Sequence, residues 1–438
     1  MEENMFSQID FGAIEKYLKD DDITDISYSN GGQVWLKTLS KGIFRIEDPN
    51  VNNAFMEKLA FQCSNVMGKT FNMAHPFLDS ESAELRMNFV HDSIAKNGIA
   101  CVIRKTPAKI RLEKDKLLKE KYVDLDILDF LIKCVHGHCN IIVCGETGSG
   151  KTEFVKYLAA QTYTNEKLIT IEDTLELHLD KIFPQRDIVA MKTNNIASYS
   201  DVLVTCMRQN PKWILLSEVR SAEAVQAVRN SISSGHYILS TIHADKAVSI
   251  PNRMYSLLET NQDIEQFLKS IYRYIQVGVY IRGFQDKQTK HFIREIAEVT
   301  EFYVNEENEA KYNQIYKKTT TGNVVRNKPS KYLVGYLDGQ GVNLNPDEIK
   351  DTSEEGNEPA LGLEEFIEKT ANVGKEENVT PEVSEQIATT PAVTPTVPVQ
   401  NSVPQEEVLK IDGSDSTTPT SADVPADTSS SVETLKFE

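Results

Sequence analysis

Eight consecutive residues constrain this chain more than any others: Gly145-Glu146-Thr147-Gly148-Ser149-Gly150-Lys151-Thr152. They fit the pattern G-x-x-x-x-G-K-[ST]. The apolar run from Asn140 to Cys144 just before them reads as a buried strand, and Glu153 to Gln161 just after carries apolar residues at helical spacing. Strand, glycine loop and helix therefore follow in the order that a phosphate cradle needs. Glycine allows the positive-φ backbone that turns successive N–H groups inward on an anion, and the helix aims its positive end at the same place. In such a loop Lys151 reaches the terminal phosphates and Thr152 offers its hydroxyl to Mg²⁺. All eight residues are expected to bind nucleotide.

What surrounds the loop sets the fold class. From about Val123 to Val304 strands and helices alternate, which predicts a mainly parallel sheet covered on both faces. The clearest strands are Leu168 to Ile171, Trp213 to Leu216 and Tyr237 to Ile242, with helices over Ser200 to Met207 and Glu223 to Ser234. Val277 to Ile281 and Phe292 to Val299 read as a closing pair of strands. Residues 305–350 are ambiguous, with Tyr312, Tyr316, Tyr332 and Tyr336 able to dock on the domain.

Residues 1–107 read as a smaller α/β domain. Phe11, Ile14, Tyr17 and Leu18 share one face of a short helix. Ile23 to Tyr28 and Gln33 to Leu36 flank Asn30-Gly31-Gly32, a hairpin turn. Phe55, Leu59, Phe61 and Val66 lie on a helix that stops at Gly68. Leu85 to Phe89 and Ile99 to Ile103 read as further strands. Residues 108–122 are a basic linker. From 104 to 121 the chain carries eight Lys/Arg against Glu113, Asp115 and Glu120, and a solvated, partly helical connector is the expected form, phosphates or lipid headgroups being the alternative partners.

Charge separates the chain into two parts. Of a net charge of −18, residues 351–438 hold −15, with 19 acidic against 4 basic side chains, and the remainder is nearly balanced at −3. Rich in Pro, Thr, Ser and Glu, this tail is expected to be disordered. The balanced remainder gives no basic signal for direct nucleic-acid binding. No apolar run approaches the ~20 residues of a membrane span, and Met1-Glu2-Glu3-Asn4 lacks a signal-peptide layout, so a cytoplasmic protein is expected. Its six cysteines sit mostly in apolar runs, as buried thiols would. Cys134-Val135-His136-Gly137-His138-Cys139 has the composition of a zinc site, but it straddles a helix end and leads into a buried strand, which favours packing.

In open α/β sheets ligands bind at the carboxyl ends of the strands. Two acidic stretches lie there: Glu172-Asp173 after Thr170-Ile171, and Glu218 within Leu215 to Arg220. A site that hydrolyses a nucleotide needs a carboxylate for Mg²⁺ and a group that orients water. Glu172 is expected to orient the water, and Glu218 to hold Mg²⁺ with Thr152. Arg208 and Arg220 bracket the second stretch and suit phosphate, or else pair with neighbouring carboxylates. His243 lies at the end of its strand on the nucleotide face; His236, at the strand's start, suits a turn.

These motifs together resemble the secretion, or traffic, ATPases of type II and type IV secretion systems and type IV pili. The matching pieces are Gly145 to Thr152, Thr170-Ile171-Glu172-Asp173-Thr174-Leu175-Glu176-Leu177, Ile214 to Arg220, and Gly235 to Ala244, in that order. The resemblance covers roughly residues 20 to 300. It implies an α/β chain with a RecA-like P-loop ATPase domain (123–304), a smaller N-terminal α/β domain and, outside the family pattern, the acidic tail. It also implies ATP and Mg²⁺, a homo-hexameric ring on the cytoplasmic face of a membrane, and inner-membrane components of a secretion machine as partners. Arginines of the first domain contact nucleotide in this family, and Arg86 and Arg104 match loosely. No cysteine follows Arg220, against the four-cysteine insert frequent in the pilus and type II branches. Ser240-Thr241-Ile242-His243-Ala244 is similar to the conjugative type IV secretion branch, with a pilus-assembly ATPase as the alternative. Ser217 stands where the family usually has Gly. Lys151, Thr152, Glu172 and Glu218 together speak against a nucleotide-binding scaffold without hydrolysis.

Overall fold

The structure, a computed structural model, describes residues 9–82, 84–194, 196–258 and 263–349. The acidic tail expected to be disordered lies outside the described residues. Two sheets organise the rest, and both belong to one unit of the chain, Met1–Asn378.

The first sheet is antiparallel throughout. Its strands are β1 (Ile23–Ser29), β2 (Gln33–Thr38), β3 (Gly42–Ile46), β4 (Phe77–Glu81), β5 (Leu85–Val90) and β6 (Ala100–Lys105), in the order β3-β2-β1-β6-β5-β4. Alternation decides its faces. Val34, Leu36, Ile26, Tyr28, Cys101, Ile103, Met87, Phe89 and Leu78 point to a core closed by the helix Asn53–Met67, whose Met56, Leu59, Ala60 and Cys63 are buried. Asn52 caps that helix by accepting from the Phe55 N–H at 3.1 Å, and Gly68 ends it at φ 60°. Phe61, expected on the helix, is there but 65% exposed; the buried stripe runs one residue earlier, through Ala60. On the other face one cross-strand row reads Lys37, Asp25, Arg104, Arg86, Glu81.

The second sheet has nine strands. They are β7 (Ile141–Cys144), β8 (Leu168–Glu172), β9 (Ile188–Lys192), β10 (Trp213–Val219), β11 (Tyr237–Ile242), β12 (Val277–Gln285), β13 (Phe292–Val304), β14 (Ala310–Lys318) and β15 (Val324–Arg326), in the order β15-β14-β13-β12-β7-β11-β10-β8-β9. Strands β12, β7, β11, β10, β8 and β9 run parallel, and β13 to β15 antiparallel. β7 and β8 are buried at every position, as strands covered on both faces must be. One core packs the helices Leu125–His136 and Lys151–Ala160 against one face; the other packs Tyr199–Met207, Ala222–Ser233 and Ile264–Tyr274 against the opposite face.

Residues 305–349, ambiguous in the sequence, are continuous with this second body. β14 pairs with β13, Tyr316 and Ile315 are buried in its core, and the helix Lys331–Gly339 contributes Leu333 and Leu337. Gly137 makes room for that helix: a Cβ there would stand 2.2 Å from the Leu337 side chain. Glu301, fully buried on β13, accepts from the Ser330 N–H at 3.0 Å and anchors the start of the same helix. The linker is less solvated than expected. Leu117 and Tyr122 are buried in the second core, and the Tyr122 carbonyl accepts from the Ile296 N–H at 2.7 Å. Its apolar residues, spaced among eight cations, were masked by the charge count.

The sheets meet on two sides. Between β12 and β13, the hairpin meets the β2–β3 turn through Phe292 N–H to the Ser40 carbonyl, at 2.9 Å. On the other side, Lys192 at the end of β9 pairs with Glu81 of β4 at 2.5 Å. Among the described residues no helix is long and apolar enough to cross a membrane, and none of their His, Cys, Asp and Glu side chains group as a metal site. His138 instead donates from Nε2 to Glu166 Oε1 at 2.6 Å, while Cys134 and Cys139 are buried free thiols.

Candidate active site

The glycine loop joins the end of β7 to the helix Lys151–Ala160. Gly145, Gly148 and Gly150 take φ of 150°, 82° and 100°, which L side chains rarely adopt. At Gly145 a Cβ would also meet the Ile281 carbonyl at 2.2 Å. Lys151 is 7% exposed and folds back on the loop, donating to the carbonyls of Gly145 and Glu146, each at 3.0 Å. Burial draws its pKa down, against the pull of Glu218. Ser149 is buried, and its hydroxyl has no hydrogen-bond partner. That hydroxyl faces Gly145, where an added Cβ would stand 2.7 Å from it, and Ser149 does not line the cleft beside the loop; the positive-φ glycines are what suit the loop to a phosphate.

A cleft of 610 Å³ opens on this loop, within the usual range for a small-molecule site. Thr147, Gly148, Gly150, Lys151 and Thr152 line it from the loop, Glu176, Glu218 and His243 from neighbouring strand ends, Lys37, Asp25 and Arg104 from the first sheet, and Arg294 from β13. The linker closes the remaining side with Arg111, Leu112 and Tyr122.

His243 joins the two halves of this constellation. Its Nε2 lies 2.9 Å from Glu218 Oε1, and its Nδ1 lies 3.4 Å from Lys151 Nζ. An ammonium can only donate, so Nδ1 accepts and the proton sits on Nε2, shared with the carboxylate. Burial and the Lys151 charge hold the ring pKa below its ordinary value, which favours that neutral tautomer. Thr152 Oγ1 lies 3.4 Å from Glu176 Oε2. Hydroxyl and carboxylate oxygens converging beside a phosphate loop are the hard donors that Mg²⁺ takes.

Glu172 does not join them. It is fully buried, lines no part of the cleft, and is caged by Thr170 Oγ1 at 3.0 Å and the N–H groups of Glu176 and Leu177 at 2.8 and 3.0 Å. Burial pushes its pKa up to about 7 in spite of those bonds. In this arrangement Glu172, expected to orient the water, does not face the cleft; its carboxylate accepts from the turn that carries Glu176. The signal was present in the sequence: a strand apolar on both faces buries its last residue too, while the second glutamate of the same box lies four residues on, past the strand. Arg220 pairs with Asp173 and does not line the cleft. Arg208 caps the far end of the helix Tyr199–Met207, before β10 begins, and is exposed. Of the two first-domain arginines, Arg104 lines the cleft with its Nε 2.9 Å from Asp25 Oδ1, and Arg86 is exposed beyond it. Lys37 and Arg294 were missed. Nothing in the alternation of β2 or β13 marks a cation that will meet a loop over a hundred residues away.

Residues 77–335 match the protein family described as Type II/IV secretion system protein. An uncharacterized protein of Bacillus anthracis is 28% identical over 303 residues, spanning 67% of this chain and 68% of that protein. The VirB11 type IV secretion system protein of Bartonella quintana is 36% identical over 152 residues, and VirB11 of Agrobacterium fabrum 35% over 154. These two alignments span 33% and 34% of this chain and only 41% and 43% of those relatives. Among solved structures, the VirB11 ATPase of the Brucella suis type IV secretion system aligns over 65% of this chain and 91% of its own at 23% identity and a TM-score of 0.35. The pilus retraction motor PilT aligns over 81% and 95% at 16% identity and a TM-score of 0.49.

Proposed function

This chain belongs to the Type II/IV secretion system protein family, the traffic ATPases, close to the VirB11 type, and from that premise we propose that it is the Mg²⁺-dependent ATP-hydrolysing motor of a type IV secretion or conjugation apparatus. It works as a homo-hexamer on inner-membrane components at the cytoplasmic face, turning hydrolysis into movement of the first domain against the second. The observation that supports this best is the convergence in one cleft of the glycine loop, Glu176, Glu218 and His243 with cations from the other sheet.

In this reading Lys151 leaves the carbonyls of its own loop for phosphate oxygens, and the loop N–H groups, that of Ser149 among them, complete the cradle. Thr152 with Glu218 would hold Mg²⁺, which would supply charge neutralisation at the phosphates. Glu176, on the turn fixed by Glu172, orients water. His243 keeps Glu218 engaged while the site is empty of phosphate. Arg104 and its neighbours sense the phosphates from the first domain, so phosphate state and domain position are coupled.

Steady-state ATP turnover with and without Mg²⁺, combined with molar mass by light scattering with and without ATP, tests the proposal. Mg²⁺-dependent release of phosphate by a particle of six chains is expected. A folded protein that binds ATP and releases no phosphate is a scaffold, and a monomer that hydrolyses at full rate is not this motor.

A further inference from the structure

His243 follows the last residue of β11, so the strand ladder alone does not fix where its ring points. Side chains hold the chain on either side of it. Before it, the Thr241 hydroxyl donates to the Ser217 carbonyl of β10 at 2.6 Å, which sets the end of β11 against the residue that precedes Glu218. After it, the Ala247 N–H donates to Glu298 Oε2 at 2.9 Å. Glu298 belongs to β13, and in the sheet β12 and β7 stand between β13 and β11. The segment from His243 to Ala247 therefore crosses two strands before it is caught. Gly278 of β12 makes room for the crossing: a Cβ there would stand 2.8 Å from the Ile250 side chain and 3.3 Å from the Ala247 carbonyl. Ala247 and Ile250 are both fully buried.

Glu298 is itself only 6% exposed. Its cross-strand neighbours are Tyr280 on β12 and Lys317 on β14. Among the described residues no cation forms an ion pair with it; Lys317 and Lys246 favour its charge from a distance and Asp245 opposes it. Burial holds its pKa above the ordinary value. A buried acid without a paired cation is costly, and an apolar residue would fill the same position of β13 without that cost. What the acid adds is a grip on one backbone N–H, stronger than a neutral acceptor gives where the acid is ionised.

Resting on the nucleotide reading above, we propose that Glu298 is a positioning residue for His243: by holding Ala247 it fixes the path of the chain out of β11, and with it the ring that bridges Glu218 and Lys151. Glu298 lines no part of the cleft. Its loss leaves the glycine loop and Lys151 in place, so nucleotide binding is kept. The partner of Glu218 is then no longer directed, and turnover falls.

The test compares the parent with Glu298→Gln, Glu298→Asp and Glu298→Leu in the full chain, each shown to be folded by circular dichroism. Glutamine keeps an acceptor oxygen at the same reach and drops the charge. Aspartate keeps the charge and withdraws the oxygens by one methylene, and leucine fills the space without an acceptor. Turnover at saturating ATP is expected within about twofold of the parent in Glu298→Gln and about tenfold lower in Glu298→Asp and Glu298→Leu, the size of a lost charge-assisted bond, with ATP affinity by calorimetry within about twofold in all three. In nucleotide-free protein the ring-nitrogen NMR signals of His243, assigned through His243→Gln, stay in place in Glu298→Gln and move in Glu298→Asp. Parental turnover in Glu298→Asp, or a Glu298→Gln as impaired as Glu298→Leu, overturns the assignment. Equal losses of affinity and turnover make Glu298 a packing residue and overturn it as well. Where Glu298→Leu does not fold, the glutamine and aspartate variants decide. A parent that does not hydrolyse ATP removes the underlying function reading instead, and the His243 signals still decide the positioning.

Discussion

The two ends of the parallel sheet are built from similar residues to opposite effect. At the amino ends of the strands, Glu166 accepts from Trp213 Nε1 at 2.8 Å and meets His138 Nε2 at 2.6 Å, and His138 stacks on Tyr237 with ring centres 4.6 Å apart. The Tyr336 hydroxyl donates to the His138 carbonyl at 2.9 Å and closes the cluster with the C-terminal helix. Two buried polar atoms, His138 Nδ1 and Arg186 Nε, are left without a partner there. At the carboxyl ends the Ser149 hydroxyl, the Tyr122 hydroxyl, Glu153 Oε2 and two Arg111 nitrogens are all buried without partners. Both ends carry a histidine, a carboxylate and aromatics. The difference teaches that polar groups left unsatisfied together, around a void, mark the binding end, while the same groups bonded to one another mark a seal.

The strongest way to break this contrast is at the acidic box. Glu176→Gln is expected to lower ATP turnover by about 10²–10⁴-fold with nucleotide still bound, whereas Glu172→Gln stays within about threefold of the parent. A reversed order in single-turnover kinetics would return the water-orienting role to the buried residue.

Stability against pH separates the two glutamates again. The folded pKa of Glu172, about 7, lies above its ordinary 4.5. The folded state therefore holds the proton more tightly, and this contribution is complete below the ordinary value and lost as pH rises through about 7. Between pH 4.5 and 8 the parent should lose about 3 kcal/mol relative to Glu172→Gln, which keeps one acceptor oxygen and cannot ionise. Denaturant melts of both proteins across that range, running parallel, would contradict the burial argument.

At the sealed end, Glu166→Ala orphans the Trp213 and His138 nitrogens and should cost about 1–3 kcal/mol of stability, with ATP affinity and turnover unchanged in protein that remains folded. A loss of affinity comparable to the loss of stability would mean the two ends are coupled. The smallest effect belongs to Ser149→Ala. Its hydroxyl bonds nothing in the structure and faces Gly145, so melting should move by no more than that of a neutral change and ATP affinity should stay within about twofold of the parent. A larger loss of affinity there would bring the hydroxyl into the cradle.

Much of this was legible in the residues alone, and for local reasons. The loop pattern, the all-apolar strands beside it and the capped helices are set by spacings within ten or so residues, where backbone preference and burial periodicity act. The order of Gly145–Thr152, Glu218 and His243 along the chain, each at the carboxyl end of its strand, placed them on one edge before any coordinates. Which carboxylate of the acidic box faces that edge is hinted at by the apolar strand that ends in Glu172 and is decided by packing, because Glu172 and Glu176 differ in what encloses them and not in chemistry. The same holds for Arg220, captured by Asp173, and for the linker, whose Leu117 and Tyr122 find a core supplied by other elements. Lys37 and Arg294 stand 257 positions apart in the sequence. Only the closure of one sheet on the other brings them to Gly148, since a long-range contact leaves no period in either strand to betray it.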